Sequence, residues 1–558
     1  MKFPHKTLPW LFSLVGLASL SAADRPNVIV LLLDDVGKGW IPPYADHLSA
    51  DDIEPEIYAR YVQVHGHQGA VDKQKHIEAA QACMPTLSRL ASEGTVFNQA
   101  YATAALCSPS RAGLLTGSFQ QDWGAYWNKD VDDFGIPPER TVIAEPLARA
   151  GYRTGVVGKW HVAPHDPAYI EKIWVEDLGQ ELPVARYYNG LWPEIDKRLR
   201  DTAWRSSSQP GFHPLDRGFD YYYGYNSHDD VDYGSATLWE NHELVPKRPE
   251  GEFLTDLFNE KACAFIRDSL QAGDPFFLYY APKTLHGPIS APPGHYTEQF
   301  SSGNQFTDEY AGHLLALDHG IEMMLAVLAE YGQLDNTLFI FTADNGCTLY
   351  YVPPYNAPNR GGKGTGWNGG LNVPLIVWQP GLTTGGESDE LVSLADLMPT
   401  VLDAAGADIP GDIDGRTLLP YLRGQAARGP RESLGSSGIH SSRWSYSYEA
   451  DGENNKQDAT EAPLYAWLID GDYQLMLVAP IKPGLYQKLP DGYAAQTLLY
   501  DIKSDPRQLQ NLAEEHPDRV QAMSAGIHQW LSARQEPLTS QQADYEAMLK
   551  RTGTDTPK

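Results

Sequence analysis

Four short apolar segments, each giving way to polar or charged residues, constrain this chain most. The first is Asn27 to Leu33, whose run from Val28 to Leu33 is apolar without alternation and is followed at once by Asp34 and Asp35. A strand with one wet face alternates, whereas a strand covered on both faces does not. The pattern recurs in Gly151–His161, which delivers Lys159 and His161, and in Pro275–Ala281, which leads to His286-Gly287-Pro288. It recurs once more at Leu338–Phe341, which runs into Thr342-Ala343-Asp344-Asn345-Gly346. Amphipathic stretches at Thr141–Ala150, Leu254–Leu270 and Tyr310–Glu330 read as helices between them. Buried strands alternating with helices predict an α/β fold, with a large, mostly parallel central sheet flanked by helices on both faces. Ligands of such sheets bind at the carboxyl ends of the strands, where these polar residues stand.

Neighbouring side chains of a regular strand point to opposite faces, so Asp34 and Asp35 serve one site only if the backbone turns there. Adjacent carboxylates repel unless a cation lies between them, and oxygen ligands mark a hard ion, Ca2+ or Mg2+, rather than zinc. Asp344 and Asn345 offer two more oxygens at another strand exit. Lys159 and His161 are two apart and share a face in extended chain.

One further stretch combines several chemical groups: Cys107-Ser108-Pro109-Ser110-Arg111-Ala112-Gly113-Leu114-Leu115-Thr116-Gly117. It reads as a short helix. Pro109 suits the first helical position, and Gly117 can close the helix in the left-handed conformation. Unpaired N–H groups and the helix dipole then point at Cys107, with Arg111 one turn on along the same face. The stretch offers a nucleophile position, an anion seat and a fixed positive charge.

Length predicts more than one domain, since 558 residues exceed what a single core supports. Residues 1–23 read as a secretory signal, with Lys2 and Lys6, a short apolar run from Leu8 to Leu20, and Ser21-Ala22-Ala23 for cleavage. The expected location is therefore periplasmic or extracellular, without stable membrane insertion, as the run is too short and broken to span. The formal charge of −29 argues against nucleic-acid binding. An anionic substrate would need a locally basic pocket or screening salt. Cys83, Cys107, Cys263 and Cys347 contain no Cys-x-x-Cys pair. Histidines His47, His65, His67 and His76 lie in a long charged connection over residues 38–82. Trp174, Trp192, Trp204, Arg198, Arg200 and Arg205 lie in a patternless stretch over 162–212, readable as a sugar-binding rim or as loop packing. A loop with His228, Asp229, Asp230 and Asp232 follows.

Towards the C-terminus, Val373–Trp378 reads as a strand and Leu391–Gly406 as a helix. Residues 431–463 are polar and suggest a boundary. Alternating strands around an Asp470-Gly471 turn follow.

The pattern Cys107-x-Pro109-Ser110-Arg111 with Leu115-Thr116-Gly117 resembles the signature of the formylglycine-dependent (type I) sulfatase family, within the alkaline-phosphatase-like superfamily. Gly158-Lys159-Trp160-His161, Arg217-Gly218-Phe219-Asp220, His286-Gly287-Pro288, Asp344-Asn345-Gly346 and Asp414-Gly415-Arg416 are also sulfatase-like. The likeness covers most of residues 26–515. It departs at Val162-Ala163, where Leu-Gly is usual, and at Asn368 and Asn372, where Glu and Arg are common.

The resemblance implies a catalytic α/β domain over 24–430 and a smaller C-terminal α+β subdomain with an antiparallel sheet over 431–558. It implies conversion of Cys107 to formylglycine by a formylglycine-generating maturation enzyme. One Ca2+ would be held by Asp34, Asp35, Asp344, Asn345 and the modified Cys107. Lys159, Lys363 and Arg111 would neutralise the sulfate. His286, with or without Lys363, would protonate the leaving alcohol, and His161 would take a proton from the second hydroxyl of the formylglycine hydrate. The expected substrate is a sulfated sugar or polysaccharide fragment. A broad arylsulfatase, a phosphate mono- or diester hydrolase of the same superfamily and an inactive sugar-binding protein are the competing readings.

Overall fold

The computed structural model describes residues 25–65, 72–177, 198–199, 202–227, 231–234, 237–246, 251–348, 352–439, 464–479, 496–535 and 538. The expected export signal, His67, Trp192, Arg200, His228, Asp229 and Asp230 lie outside the described residues.

The large sheet has ten strands: β1 (Asn27–Leu33), β2 (Thr95–Tyr101), β3 (Arg153–Lys159), β4 (Tyr221–Tyr225), β5 (Trp239–Glu240), β6 (Glu243–Leu244), β7 (Phe276–Ala281), β8 (Thr337–Ala343), β9 (Leu375–Trp378) and β10 (Glu387–Ser393). Their order is β10-β2-β9-β8-β1-β7-β3-β4-β5-β6. The block β8-β1-β7-β3-β4 is parallel. Strand β9 runs antiparallel to both β2 and β8, and β5 and β6 continue antiparallel beyond β4. The sheet is therefore mixed, with the parallel part at its centre. Strands β1, β7 and β8 are buried along their whole length, which is why their sequences do not alternate.

Six helices matter for the site: α1 (Pro85–Glu93), α2 (Cys107–Thr116), α3 (Leu254–Ala272), α4 (Gln305–Glu330), α5 (Leu397–Ala405) and α6 (Pro517–Ser532). Helix α4 begins five residues before the expected Tyr310, because the Asn304 side chain accepts the Thr307 N–H at 3.0 Å and caps it. Among the described residues α4 is the one helix long and apolar enough to cross a membrane, yet it is mostly buried in the protein. Its Asp318 accepts the Thr86 and Leu87 N–H groups at 2.8 Å each, tying it to the start of α1.

Leu391–Gly406 is not one helix. Leu391–Ser393 completes β10, and the helix proper begins at Leu397. The Asp396 carboxylate accepts the Ser393 N–H at 2.9 Å, and this reciprocal cap breaks a continuous apolar run into strand and helix. Strand β9 starts at Leu375, two residues late, since Pro374 has no N–H for a ladder.

The second sheet is antiparallel: β11 (Ser433–Ile439), β12 (Leu464–Asp470), β13 (Tyr473–Ala479) and β14 (Gln496–Asp501), with α6 packed on it. Asp470 pairs with Tyr473, so the hairpin turn is Gly471-Asp472, one residue beyond the expected Asp470-Gly471. Tyr101, Ala105 and Leu371 share a core with Tyr465, Trp467 and Met476, joining the two sheets.

Several sequence features are structural. Arg217 donates to the Ile136 carbonyl at 3.0 Å, and Asp220 accepts the Thr154 N–H at 2.9 Å. His76 Nδ1 contacts Thr307 Oγ1 at 2.7 Å and His47 contacts Glu387, and neither belongs to the group of potential metal ligands found among the described residues. All four cysteines are free thiols.

Strands β3 and β4 approach each other through the pair Gly158–Gly224. A Cβ on Gly224 would lie 1.7 Å from the Gly158 carbonyl oxygen, and backbone cannot move aside as a side chain can. At Gly273, left-handed at the end of α3, a Cβ would meet nothing within 4 Å. Denaturant unfolding is therefore expected to show Gly224→Ala losing about 3 kcal/mol or more, against about 1 kcal/mol for Gly273→Ala. Equal losses would mean that the strands can spread at no cost.

Candidate active site at the carboxyl edge of the sheet

The chain turns sharply at the end of β1. Asp35 takes a left-handed φ of 58°, which brings its side chain and that of Asp34 into one space. Both are buried. Asp35 Oδ1 accepts from Asn345 Nδ2 at 2.8 Å, and its backbone N–H donates to Asp344 Oδ1 at 3.2 Å. The exits of the adjacent strands β1 and β8 are thus stitched together. Lys159, at the end of β3, donates to Asp34 Oδ2 at 2.8 Å. Lys363 donates to Asp35 Oδ2 at 2.7 Å and lies 3.2 Å from His286 Nε2.

Lys363 stands on a loop braced by the second sheet. The Asn368 N–H donates to Gln508 Oε1 at 2.9 Å, Arg360 donates to the Gln508 carbonyl at 2.9 Å, and Gly366 packs against Met476 and Tyr465.

Cys107 is the first residue of α2, fully buried, with its sulfur 3.7 Å from Asp35 Oδ1. Pro109 falls two residues later than the first position expected for it, and Gly117 closes the helix with φ 62° as expected. The first-turn N–H of Ser108 is not open to an anion, because Asn128 Oδ1 accepts it at 3.2 Å. Burial pushes the Cys107 thiol well above its usual range. As a thiol it is a poor nucleophile.

Arg111 is not aimed at an open pocket. Its Nε and Nη2 pair with Asp344 Oδ2 at 2.9 and 2.8 Å, its Nη2 lies 3.4 Å from Asp34 Oδ1, and its Nη1 donates to the Lys159 carbonyl at 3.2 Å. It neutralises ligand-type carboxylates from behind. His161 also differs from expectation. Strand β3 ends at Lys159 and His161 adopts φ 55°, so the two part company. Lys159 reaches Asp34, while His161 Nε2 stands 3.0 Å from Asp132 Oδ1. Asp132 and Asn128 belong to the short helix Asn128–Phe134 packed beside α2. Sequence reading missed both, since Asp130, Asp132 and Asp133 look like a solvated acidic run.

Burial raises the Asp34 carboxyl, but Lys159, His286, Arg111 and Lys363 together outweigh it and hold Asp34 well below the usual range. Asp344 is pushed upward by burial and by the charges of Asp34 and Asp35, in spite of Arg111. Two buried oxygens accept no hydrogen bond: Asn345 Oδ1, and Asp34 Oδ1, which has the ion-pair contact to Arg111 at 3.4 Å. Among the described residues, one group of potential metal ligands comes together: Asp34, Asp35, Cys107 and His286 offer atoms within 4.8 Å of one another. Crowded carboxylates with oxygens that accept no hydrogen bond fit a hard divalent cation. His286 Nδ1 lies 2.7 Å from the Gly287 carbonyl, which can only accept, so Nδ1 carries the proton and Nε2 presents its lone pair to the Lys363 ammonium.

A family model described as Sulfatase matches residues 26–407 of the chain. The chain belongs to the sulfatase family. It is a sulfuric ester hydrolase. It is 31% identical over 533 residues to the protein called Uncharacterized sulfatase YdeN of Escherichia coli (strain K12), covering 93% of this chain and 88% of that one. It is 29% identical over 446 residues to N-acetylgalactosamine-6-sulfatase of Mus musculus, covering 74% and 70%. The crystal structure of Ps i-CgsB in complex with k-i-k-neocarrahexaose shares the fold, with a TM-score of 0.65 and 21% identity over 96% of this chain and 100% of that chain.

Burial pulls the His286 imidazole of this sulfatase down to about 4. The unfolded chain takes up a proton below about 6.5, and the folded chain does so only near 4, so stability falls as pH drops through that window. Denaturant melts at pH 7 and pH 4.5 are expected to show wild type losing about 2 kcal/mol more than His286→Gln over this interval. An identical loss in both proteins would show that His286 is not buried as a neutral base.

Proposed function

We propose that this sulfatase cleaves a sulfate ester on a sulfated sugar or polysaccharide fragment, from a formylglycine made at Cys107 beside one Ca2+. The observation that carries the reading is the setting of Cys107. A buried and unreactive thiol opens a helix, against a carboxylate–amide cluster with two oxygens that accept no hydrogen bond and two lysine ammonium groups. The names of the mouse relative and of the oligosaccharide-bound structural neighbour support a sugar substrate.

Asp34, Asp35, Asp344 and Asn345, with the residue at 107, are the proposed holders of the ion. When bound, the ion supplies a Lewis acid that polarises a sulfate oxygen. The formylglycine hydrate supplies an attacking hydroxyl and a second hydroxyl whose loss of a proton lets sulfate go, a step unavailable to serine or cysteine. Lys159 and Lys363 offer positive charge to the equatorial sulfate oxygens, where charge spreads in the transition state. Arg111 offsets the charge of Asp34 and Asp344 and holds both carboxyl groups in place. Lys363 and His286, 3.2 Å apart, act as a pair. The ammonium carries the proton that goes to the leaving alcohol, and the His286 Nε2 lone pair orients that ammonium. His161 is the later proton acceptor, with Asp132 at its ring.

The proposed division of labour places catalysis in residues 24–430 and bracing of the Lys363 loop in 431–558. Export through residues 1–23 to the periplasm or beyond, with maturation by a formylglycine-generating enzyme, completes the reading.

Purified wild type and Cys107→Ala are to be compared on defined sulfated oligosaccharides, an aryl sulfate and the matching aryl phosphate. Wild type is expected to release sulfate from a sugar ester and to leave the phosphate essentially untouched. Cys107→Ala is expected to stay folded and to lose about four orders of magnitude or more in turnover. Comparable turnover by Cys107→Ala would refute the nucleophile, and faster release of phosphate would move the chain to phosphoester hydrolysis.

A further inference from the structure

His286 lies on a loop that leaves β7 at Ala281 and has no strand ladder to hold it. Its path is awkward, with Leu285 at φ 75°. Two buried charges outside the reaction scheme grip this loop. Lys283 Nζ donates to Asp232 Oδ1 at 2.8 Å and to the Pro288 carbonyl at 2.7 Å. The other oxygen of Asp232 accepts the Ser290 N–H at 2.7 Å. One carboxylate therefore holds both ends of the segment 283–290. His313 Nε2 on α4 meets the Ser290 carbonyl at 2.7 Å, and the His286 N–H donates to the Lys283 carbonyl at 2.9 Å. Asp232 is itself anchored, as its carbonyl accepts the Leu254 N–H at 2.9 Å where α3 begins. Asp232 and Lys283 are each 3% exposed.

A buried ion pair is not an economical way to hold a loop in place. Apolar residues of similar volume often fold as well or better. What the pair provides here is direction, since one carboxylate fixes two separate points of the loop. We propose that Asp232 and Lys283 are positioning residues for His286, closing the 283–290 loop so that the imidazole stays against Lys363. The inference rests on the reading of His286 and Lys363 as the pair that protonates the leaving oxygen. A leaving group that is a stable anion needs no such proton, while a basic one does. Loss of the clamp therefore discriminates between substrates, whereas loss of folded protein does not.

The full chain, as Asp232→Asn and as the double variant Asp232→Leu/Lys283→Met, is to be assayed on 4-nitrophenyl sulfate and 4-methoxyphenyl sulfate. The double variant leaves no uncompensated buried charge. Both variants are expected to lose about 30-fold in kcat on the methoxyphenyl ester and no more than about threefold on the nitrophenyl ester. Amide hydrogen exchange is expected to accelerate in 283–290 and to stay unchanged at the ends of β1 and β8. Equal losses on the two esters, or unchanged exchange in 283–290, would overturn the proposal. His286→Ala separates the two layers of inference. If it affects both esters equally, the acid role of the His286–Lys363 pair fails. If it discriminates and the clamp variants do not, only the clamp fails.

Discussion

Three carboxylates, Asp34, Asp35 and Asp344, share one buried space with Arg111, Lys159 and Lys363, and everything nearby is arranged to keep that balance. Burying any one of these charges without its counterpart would cost several kcal/mol. The balance explains why the groups come from different elements. No single segment can hold three like charges side by side, whereas neighbouring strand exits can interleave them with cations from elsewhere. It also sets what the pocket accepts. Three negative and three positive charges cancel, so a divalent cation is tolerated only together with an anion, and a sulfate ester that becomes sulfate is such a partner. The chain carries a formal charge of −29, so positive charge held within the pocket, rather than the field of the whole surface, must attract an anionic substrate.

The thiol at the centre is instructive. Burial holds Cys107 protonated despite two nearby lysines, so the position has the surroundings of a nucleophile and the reactivity of a core residue. The conversion proposed above would resolve that conflict. The second sheet enters the same argument, because its residues hold the loop that carries Lys363, and a lysine on an unbraced loop would not stay against Asp35.

The sequence was most informative where burial leaves a simple mark. The apolar runs at Asn27–Leu33 and Pro275–Ala281 match β1 and β7 to within a residue, because two-sided burial removes polar alternation. That Asp34, Asp35, Asp344 and Asn345 meet in one place was legible for the same reason, as polar residues set directly after buried strands. The partners of Arg111 and His161 were not legible. Arg111 could be placed on a helix face, but not which carboxylate would claim it. His161 changed partners because one residue turned left-handed, and no spacing rule foresees that. Asp132, Asn128, Asp232 and Lys283 were hidden because a polar side chain on a short helix or a loop looks solvated until the fold packs against it. Leu391–Gly406 failed for a different reason, since two short side chains, Ser393 and Asp396, divided an apolar run that pattern alone joins.

The charge balance is tested most directly by titrating metal-stripped protein with Ca2+ in a calorimeter, beside Asp35→Asn and Asn345→Leu. The account predicts one ion per wild-type chain, with binding strengthened by added inorganic sulfate and lost in both variants. Absence of binding to the wild type, or undiminished binding to the variants, would contradict it.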